Sequence, residues 1–254
     1  MIFLMSESKR YLPYFERELG KKLTIFVEKT PYGNLEIAKN DEVIFVENMG
    51  ISPMGVAWLL DQYRPDGMGM VSKVGGINKL LDVGDILIVT DYIDNTTCRP
   101  KSYIEKKNDN IKIRYGMGEP FCKGWRKCIE KNFKQNRNHY DMNIIKEGTY
   151  VCTDGPGFES SSEIEAFRKW GADMVGHWIS PFVYYARELD ICFASVAVVS
   201  NVFHKQSPDM LNDEKNNQLF GKLYKMLVDT QPAPGCDCQK KNILQYEVMD
   251  GTNE

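Results

Sequence analysis

The stretch from residue 148 to residue 202 constrains the fold more than any other part of the chain. It reads "GTYVCTDGPGFE", "SSSEIEAFRKWG", "ADMVGHWI", "SPFVYYAREL" and "DICFASVAVVSNV". Short runs rich in Val, Ile and aromatics alternate with segments of helical spacing, which predicts strand, helix, strand, helix, strand. The first helix carries its own start and stop. Ser160 and Glu163 have the spacing of a capping box, in which each side chain satisfies a free N–H of the first turn, and Gly171 supplies the terminator. Ser180 and Pro181 open the second helix, with proline at its natural first position. Strands and helices alternating over so short a span predict an α/β architecture.

The rest of the chain extends this pattern. "MIFLM" reads as a first strand, and "KLTIFVEKT" (22–30) and "DEVIFVEN" (41–48), separated by the turn signal "PYGN", predict a hairpin. A helix is expected over 55–63, ending before Pro65, and a strand buried on both faces over 85–93. Residues 95–120 are polar and irregular and read as a long surface excursion. "CKGWRKCIEKNFKQN" resumes helical spacing, and an amphipathic helix over 213–230 closes the fold. No repeat or low-complexity linker divides the 254 residues, so one domain over 1–254 is expected.

Composition narrows the partners. At 43% hydrophobic residues the chain can bury a substantial core, and a net charge of −3 does not suit coating nucleic acid or anionic lipid. The basic stretch "KSYIEKKNDNIKIR" interleaves acids and reads as a solvated face, and His139 as a surface-loop residue. No run approaches the roughly 18 apolar residues of a membrane span. The expected partner is therefore a small molecule, with no nucleic acid and no membrane. Seven cysteines, mostly in apolar surroundings, read as reduced thiols and point to a cytoplasmic location. The "CDC" at Cys236 and Cys238 is too tight to hold zinc alone, which would need two further ligands, so no metal or cofactor is expected; a disulfide there stays open.

In open α/β folds, ligands gather where strands end. Three exits stand out: "TDGPGFES", "GHWISPF" and "VVSNVFH". Together with "TPYGN", "VGDILIVTDYIDNTTCRP", "GEPFC" and the late "GCDC", they resemble the trimeric purine nucleoside phosphorylase and methylthioadenosine phosphorylase family, in one order over most of the chain. The resemblance implies a twisted central mixed sheet flanked by helices, a homotrimer, and cleavage of a purine nucleoside's glycosidic bond. It places Phe158 near base and sugar, Glu159 as acceptor of purine N–H groups, and Asn201 where 6-oxopurine enzymes bond O6 and N7. An amide aimed at the departing purine would stabilise the charge it gains in the transition state.

Departures from that pattern shape the functional expectation. The stretch after the first strand, "LMSESKRYL", lacks the family's phosphate-binding glycines, and "FVENMGISPMGVAW" lacks its Arg-His pair. Ser72 and Lys73 replace a hydroxyl-alanine pair, and His177 and Trp178 replace a Met-hydroxyl dipeptide. Phe203 stands where adenine-selective relatives carry an Asp, His204 follows it, and Phe182 is placed to face the pocket. The expectation is a diverged member that cleaves a purine-type nucleoside hydrolytically without phosphate. His177 or Glu159 would assist water, Asn201 steady the base, and Phe158, Trp178, Phe203, Ser72 and Phe182 line the substrate. Three alternatives accompany it: a pocket turned to lyase, isomerase or cyclase chemistry on an apolar or cation-forming substrate; a non-catalytic scaffold; and an ordinary methylthioadenosine or purine nucleoside phosphorylase.

Overall fold

The computed structural model describes residues 1–47, 50–108, 110–140, 142–203, 214–232, 236, 238 and 245–248. Its centre is a nine-stranded mixed sheet. Strand β1 (Ile2–Ser6) lies between β4 (Val43–Glu47) and β5 (Gly67–Gly76), parallel to both. Beyond β4, β3 (Gly33–Lys39) and β2 (Thr24–Thr30) add an antiparallel wing. On the other side the sheet closes on itself. β5 pairs in parallel with β10 (Cys192–Val202), β10 antiparallel with β6 (Ile86–Asp94), β6 in parallel with β8 (Ile144–Cys152), and β8 in parallel with β9 (Met174–Gly176). β9 then returns antiparallel to the tail of β5.

Alternation along these strands builds two cores. On β1, Phe3 and Met5 face one cluster with α2 (Pro53–Tyr63) and α6 (Phe182–Glu188), while Ile2 and Leu4 face another with α1 (Leu12–Leu19), α4 (Lys123–Gln135) and α7 (Glu214–Asp229). This is the two-residue period of a strand covered on both faces. A smaller cluster joins α5 (Ser161–Lys169), through Ile164 and Phe167, to Val151 and Val175.

The capping box forms as expected: Ser160 Oγ accepts from the Glu163 N–H, and Glu163 accepts in return from the Ser160 N–H at 2.8 Å. The expected hairpin is corrected in its pairing. β2 turns at "PYGN" into β3, and the 41–48 run forms β4, which joins β1. The excursion at 95–120 is partly regular, with α3 (Tyr103–Lys107) and β7 (Ile111–Arg114), the latter paired with β11 (Gln245–Val248). Pro181 occupies the N-cap of α6 rather than its first helical position. No helix among the described residues is long and apolar enough to cross a membrane.

Candidate active site at the exits of β8, β9 and β10

Register brings three chain segments together. Gly75 of β5 pairs with Val175 of β9 on one side and with Asn201 of β10 on the other. His177 follows Gly176, whose partner on β8 is Cys152, the residue before Thr153. The β8, β9 and β10 exits therefore converge around residues 72–76 of β5.

A hydrogen-bonded relay links two of the expected residues through one that the sequence reading did not single out. Thr153 Oγ1 donates to Glu159 Oε1 at 2.7 Å and lies 2.8 Å from His177 Nδ1. A hydroxyl has one proton to give. With that proton on the carboxylate, Thr153 can only accept from His177, so Nδ1 carries hydrogen. The Thr153 carbonyl, 3.3 Å from the same nitrogen, also requires a donor there. The Nε2 of a neutral His177 is then left with its lone pair, the form a general base needs.

Arg99 holds this arrangement in place. Its guanidinium donates to the carbonyls of His177 and Ser180, to Thr153 O at 3.0 Å and to Asp154 O at 3.2 Å, and pairs with Asp154 Oδ1 at 3.3 Å. One planar fork thus ties the β8 exit to the β9 exit. Beside it, burial acts to raise the Asp94 pKa, but hydrogen bonds from Thr96, Lys101 and Tyr184 outweigh it and hold the carboxyl below its usual range. Two glycines permit the close approach. Gly155 adopts φ +66°, a left-handed conformation costly for other residues, and a Cβ there would meet the His177 ring at 3.6 Å. At Gly176 any side chain would collide with the Tyr150 hydroxyl, which accepts from the Trp178 N–H at 3.3 Å.

The remaining expected residues divide. Asn201 Oδ1 accepts from Ser200 Oγ at 3.0 Å, where the register of β10 against β5 shifts. Phe203 lies against Gly75, whose Cβ would meet its ring at 2.8 Å, and packs on the α5 cluster. Trp178 is half-buried against the main core. Phe182 differs from expectation: it is 4% exposed, packed in that core with its ring edge-on to Tyr185 at 6.3 Å, because α6 presents it to α2 and the sheet. Phe158 is 87% exposed in the loop that leads into α5. His204 falls outside the described residues.

Beside this site, at the end of β1 and on the neighbouring β5, lie a buried acid and a buried hydroxyl, Glu7 and Ser72. Ser72 is fully buried, and its Oγ has no partner among the described residues but the Tyr150 hydroxyl. One residue beyond the Ser6–Val71 pair, Glu7 accepts from the Lys73 N–H at 2.7 Å. Burial, only partly offset by that bond and by the charges of Lys73 and Arg10, pushes the Glu7 pKa up to about 8. Glu7 is therefore mainly neutral at pH 7. The group among the described residues able to hold a metal lies elsewhere and is made of cysteines alone.

Comparison with known proteins agrees with this architecture. The family profile described as "Phosphorylase superfamily" matches residues 6–230. The chain is 33% identical over 190 residues to the 6-oxopurine nucleoside phosphorylase of Pyrococcus furiosus, covering 68% of this chain and 70% of that one. It is 29% identical over 211 residues to a "Probable S-methyl-5'-thioinosine phosphorylase" of Methanothermobacter thermautotrophicus, covering 78% and 71%. The crystal structure of a methylthioadenosine phosphorylase from an antarctic soil metagenomic library superposes with a TM-score of 0.75 at 20% identity, covering 95% of this chain and 90% of that one.

Proposed function

Because the chain belongs to the phosphorylase superfamily, we propose that it cleaves the N-glycosidic bond of a 6-oxopurine nucleoside or its 5'-methylthio counterpart, with phosphate as the nucleophile. The observation that carries this reading is the Ser72 hydroxyl, fully buried beside Glu7 with no partner among the described residues but the Tyr150 hydroxyl. A hydroxyl buried with a single partner keeps hydrogen-bonding capacity that a bound anion would use. Glu7 need not oppose that anion. Kept mostly neutral by burial at pH 7, it is half ionised near pH 8 and becomes increasingly repulsive as pH rises through that value. The names of the relatives support phosphorolysis over the hydrolytic reading, and the missing glycines and Arg-His pair do not by themselves exclude it.

The other residues take roles that the geometry allows. Glu159, with one oxygen engaged by Thr153, keeps lone pairs for a purine N–H. Asn201 offers an amide to the departing base, and His177 Nε2 accepts a proton from the nucleophile. Phe158 is exposed and available to cover the nucleoside. A homotrimer in the cytoplasm remains part of the proposal; the exposed Ile25 and Val27, on one face of the edge strand β2, give it apolar surface to bury.

A second reading, hydrolysis, is favoured by the relay, since a histidine with a free Nε2 backed by Thr153 and Glu159 is suited to activating water. One assay separates the two. Inosine, guanosine and 5'-methylthioinosine are incubated with and without phosphate, and base and sugar products are measured. Phosphate-dependent release of base with sugar 1-phosphate is expected, declining as pH rises through 8. Equal release without phosphate supports hydrolysis, and no release from any nucleoside sinks both. His177→Gln should lower kcat by about 10²- to 10⁴-fold in either case.

A further inference from the structure

Four cysteines meet at the end of the molecule away from the relay. Cys122 is the N-cap of α4, Cys192 the first residue of β10, and Cys236 and Cys238 follow α7. Their four Sγ atoms all lie within 4.8 Å of one another, with Cys192 and Cys236 closest at 2.9 Å. A backbone bond, Cys122 N–H to Phe193 O at 2.7 Å, fixes the start of α4 against the start of β10 and so delivers two of the thiols together. The two ligands that the "CDC" lacks in sequence are supplied by the fold.

We propose that Cys122, Cys192, Cys236 and Cys238 form a tetrahedral tetrathiolate site for one zinc ion. Zinc takes sulfur ligands at about 2.3 Å, which places the sulfurs of a tetrahedron about 3.8 Å apart. The observed cluster spans that spacing. Four soft ligands with no histidine or carboxylate among them suit zinc and exclude the oxygen-preferring cations. The surroundings favour thiolate. Cys122 Sγ accepts from the Trp125 N–H at 3.4 Å at the positive end of α4, and the small cavity beside Cys122 and Cys238 is lined by both Arg187 and Asp190, whose charges offset, so the helix end is the favourable element. Each thiol gives up its proton as its sulfur binds, so four protons leave and the loaded site carries two negative charges.

The site would be structural. All four positions are filled by protein, leaving no open coordination for a substrate. It would pin the segment after α7 to the starts of α4 and β10, and it rests on no reading of the nucleoside site.

The test uses the full chain, expressed with zinc in the medium and purified under reducing, anaerobic conditions without chelator. One zinc per chain by elemental analysis is expected, released in step with titration of four thiols by a mercurial reagent. Cys122→Ser and Cys238→Ser should each lower zinc affinity more than tenfold, while Cys98→Ser, an exposed thiol outside the cluster, should leave it unchanged. Should the variants fail to fold, metal-depleted wild type titrated with Co²⁺ gives an independent readout. The visible bands of tetrahedral cobalt thiolate should saturate at one equivalent and vanish on adding zinc. Reduced protein that binds neither ion, iron in place of zinc, or an intact mass four hydrogens light from two disulfides would each overturn the proposal.

Discussion

Strand β10 begins at Cys192 in the thiol cluster and reaches Asn201 beside the relay nine residues on, so the two constellations lie about 30 Å apart along one strand. They solve the same problem differently. At the Asn201 end, loops from β8 and β9 are held by neutral and charged hydrogen bonds that converge on Arg99. At the Cys192 end, segments distant in sequence meet through sulfur. The first arrangement keeps lone pairs open on Glu159 and on His177 Nε2; the second, with zinc bound, would commit all four of its sulfurs. A hydrogen-bonded exit can thus remain reactive, whereas a closed tetrathiolate can only stabilise.

The largest expected effect removes the arginine. Arg99→Met would leave the carbonyls of Thr153, Asp154, His177 and Ser180 without their shared donor and Asp154 without its partner. The side chain is only 17% exposed, so water replaces it poorly. A loss of roughly 3–5 kcal/mol in urea denaturation is expected, with glycosidic cleavage falling below detection. Arg99→Lys keeps the charge but not the fork and should recover less than half of the stability. Zinc content should stay at the wild-type level in both. An Arg99→Met protein as stable as its parent would mean that the exits are held by something else.

These two regions also differ in how far they could be read from residues alone. The capping box at Ser160 and Glu163, the glycine stop and the alternating elements are local signals, and the structure follows them. The family resemblance puts Glu159, His177 and Asn201 at neighbouring strand exits, where ligands gather in such sheets, and Thr153 links the first two. Thr153 and Arg99 could not be placed from the sequence. Thr153 acts only through where its hydroxyl points, and Arg99 sits in a polar stretch that reads as surface. Its carbonyl partners lie 54 to 81 residues away. The "TTCRP" run is visible, but nothing local tells that its arginine is mostly covered and turned toward the strand exits. The cysteines show the same limit: the "CDC" pair was legible, and its partners became so only through the backbone bond joining α4 to β10. β3 was missed because two strongly apolar runs around one turn signal looked like a complete hairpin, while "GNLEIAK" shows only a weak alternation.

The next effect sets the two ends against each other in pH. Glu7 titrates near 4.5 in an unfolded chain and at about 8 when folded. Between these values the unfolded chain has released a proton that the folded one retains, so stability falls as pH rises. The contribution is fully present below pH 4.5 and lost through pH 8. Glu7→Gln, which keeps the acceptor for the Lys73 N–H, should match wild type near pH 5 and exceed it at pH 8 by on the order of 2–4 kcal/mol. Zinc binding runs the other way, tightening with pH because its thiols must lose protons. Thermal melts from pH 5 to 8.5, with and without a strong chelator, separate these slopes. A wild-type stability that does not fall relative to Glu7→Gln would remove the buried-acid account of the β1 exit.

The smallest effect asks how far the relay depends on its framing helix. Glu159 immediately precedes the N-cap of α5, so the angle at which its carboxylate meets Thr153 is set by the first turn. Ser160→Ala removes the hydroxyl that accepts from the Glu163 N–H and should cost about 1 kcal/mol, the usual worth of an N-cap. If the turn serves only stability, melting shifts and nothing else does. If it orients Glu159, the KM for nucleoside rises severalfold while kcat, which depends on His177, changes little. Ser160→Asp, also a good cap, should restore both melting temperature and KM. Restored melting without restored KM would place control of Glu159 in the Ser160 hydroxyl itself rather than in the helix start, and would make this end of β10 depend on single hydrogen bonds even more than Arg99 implies.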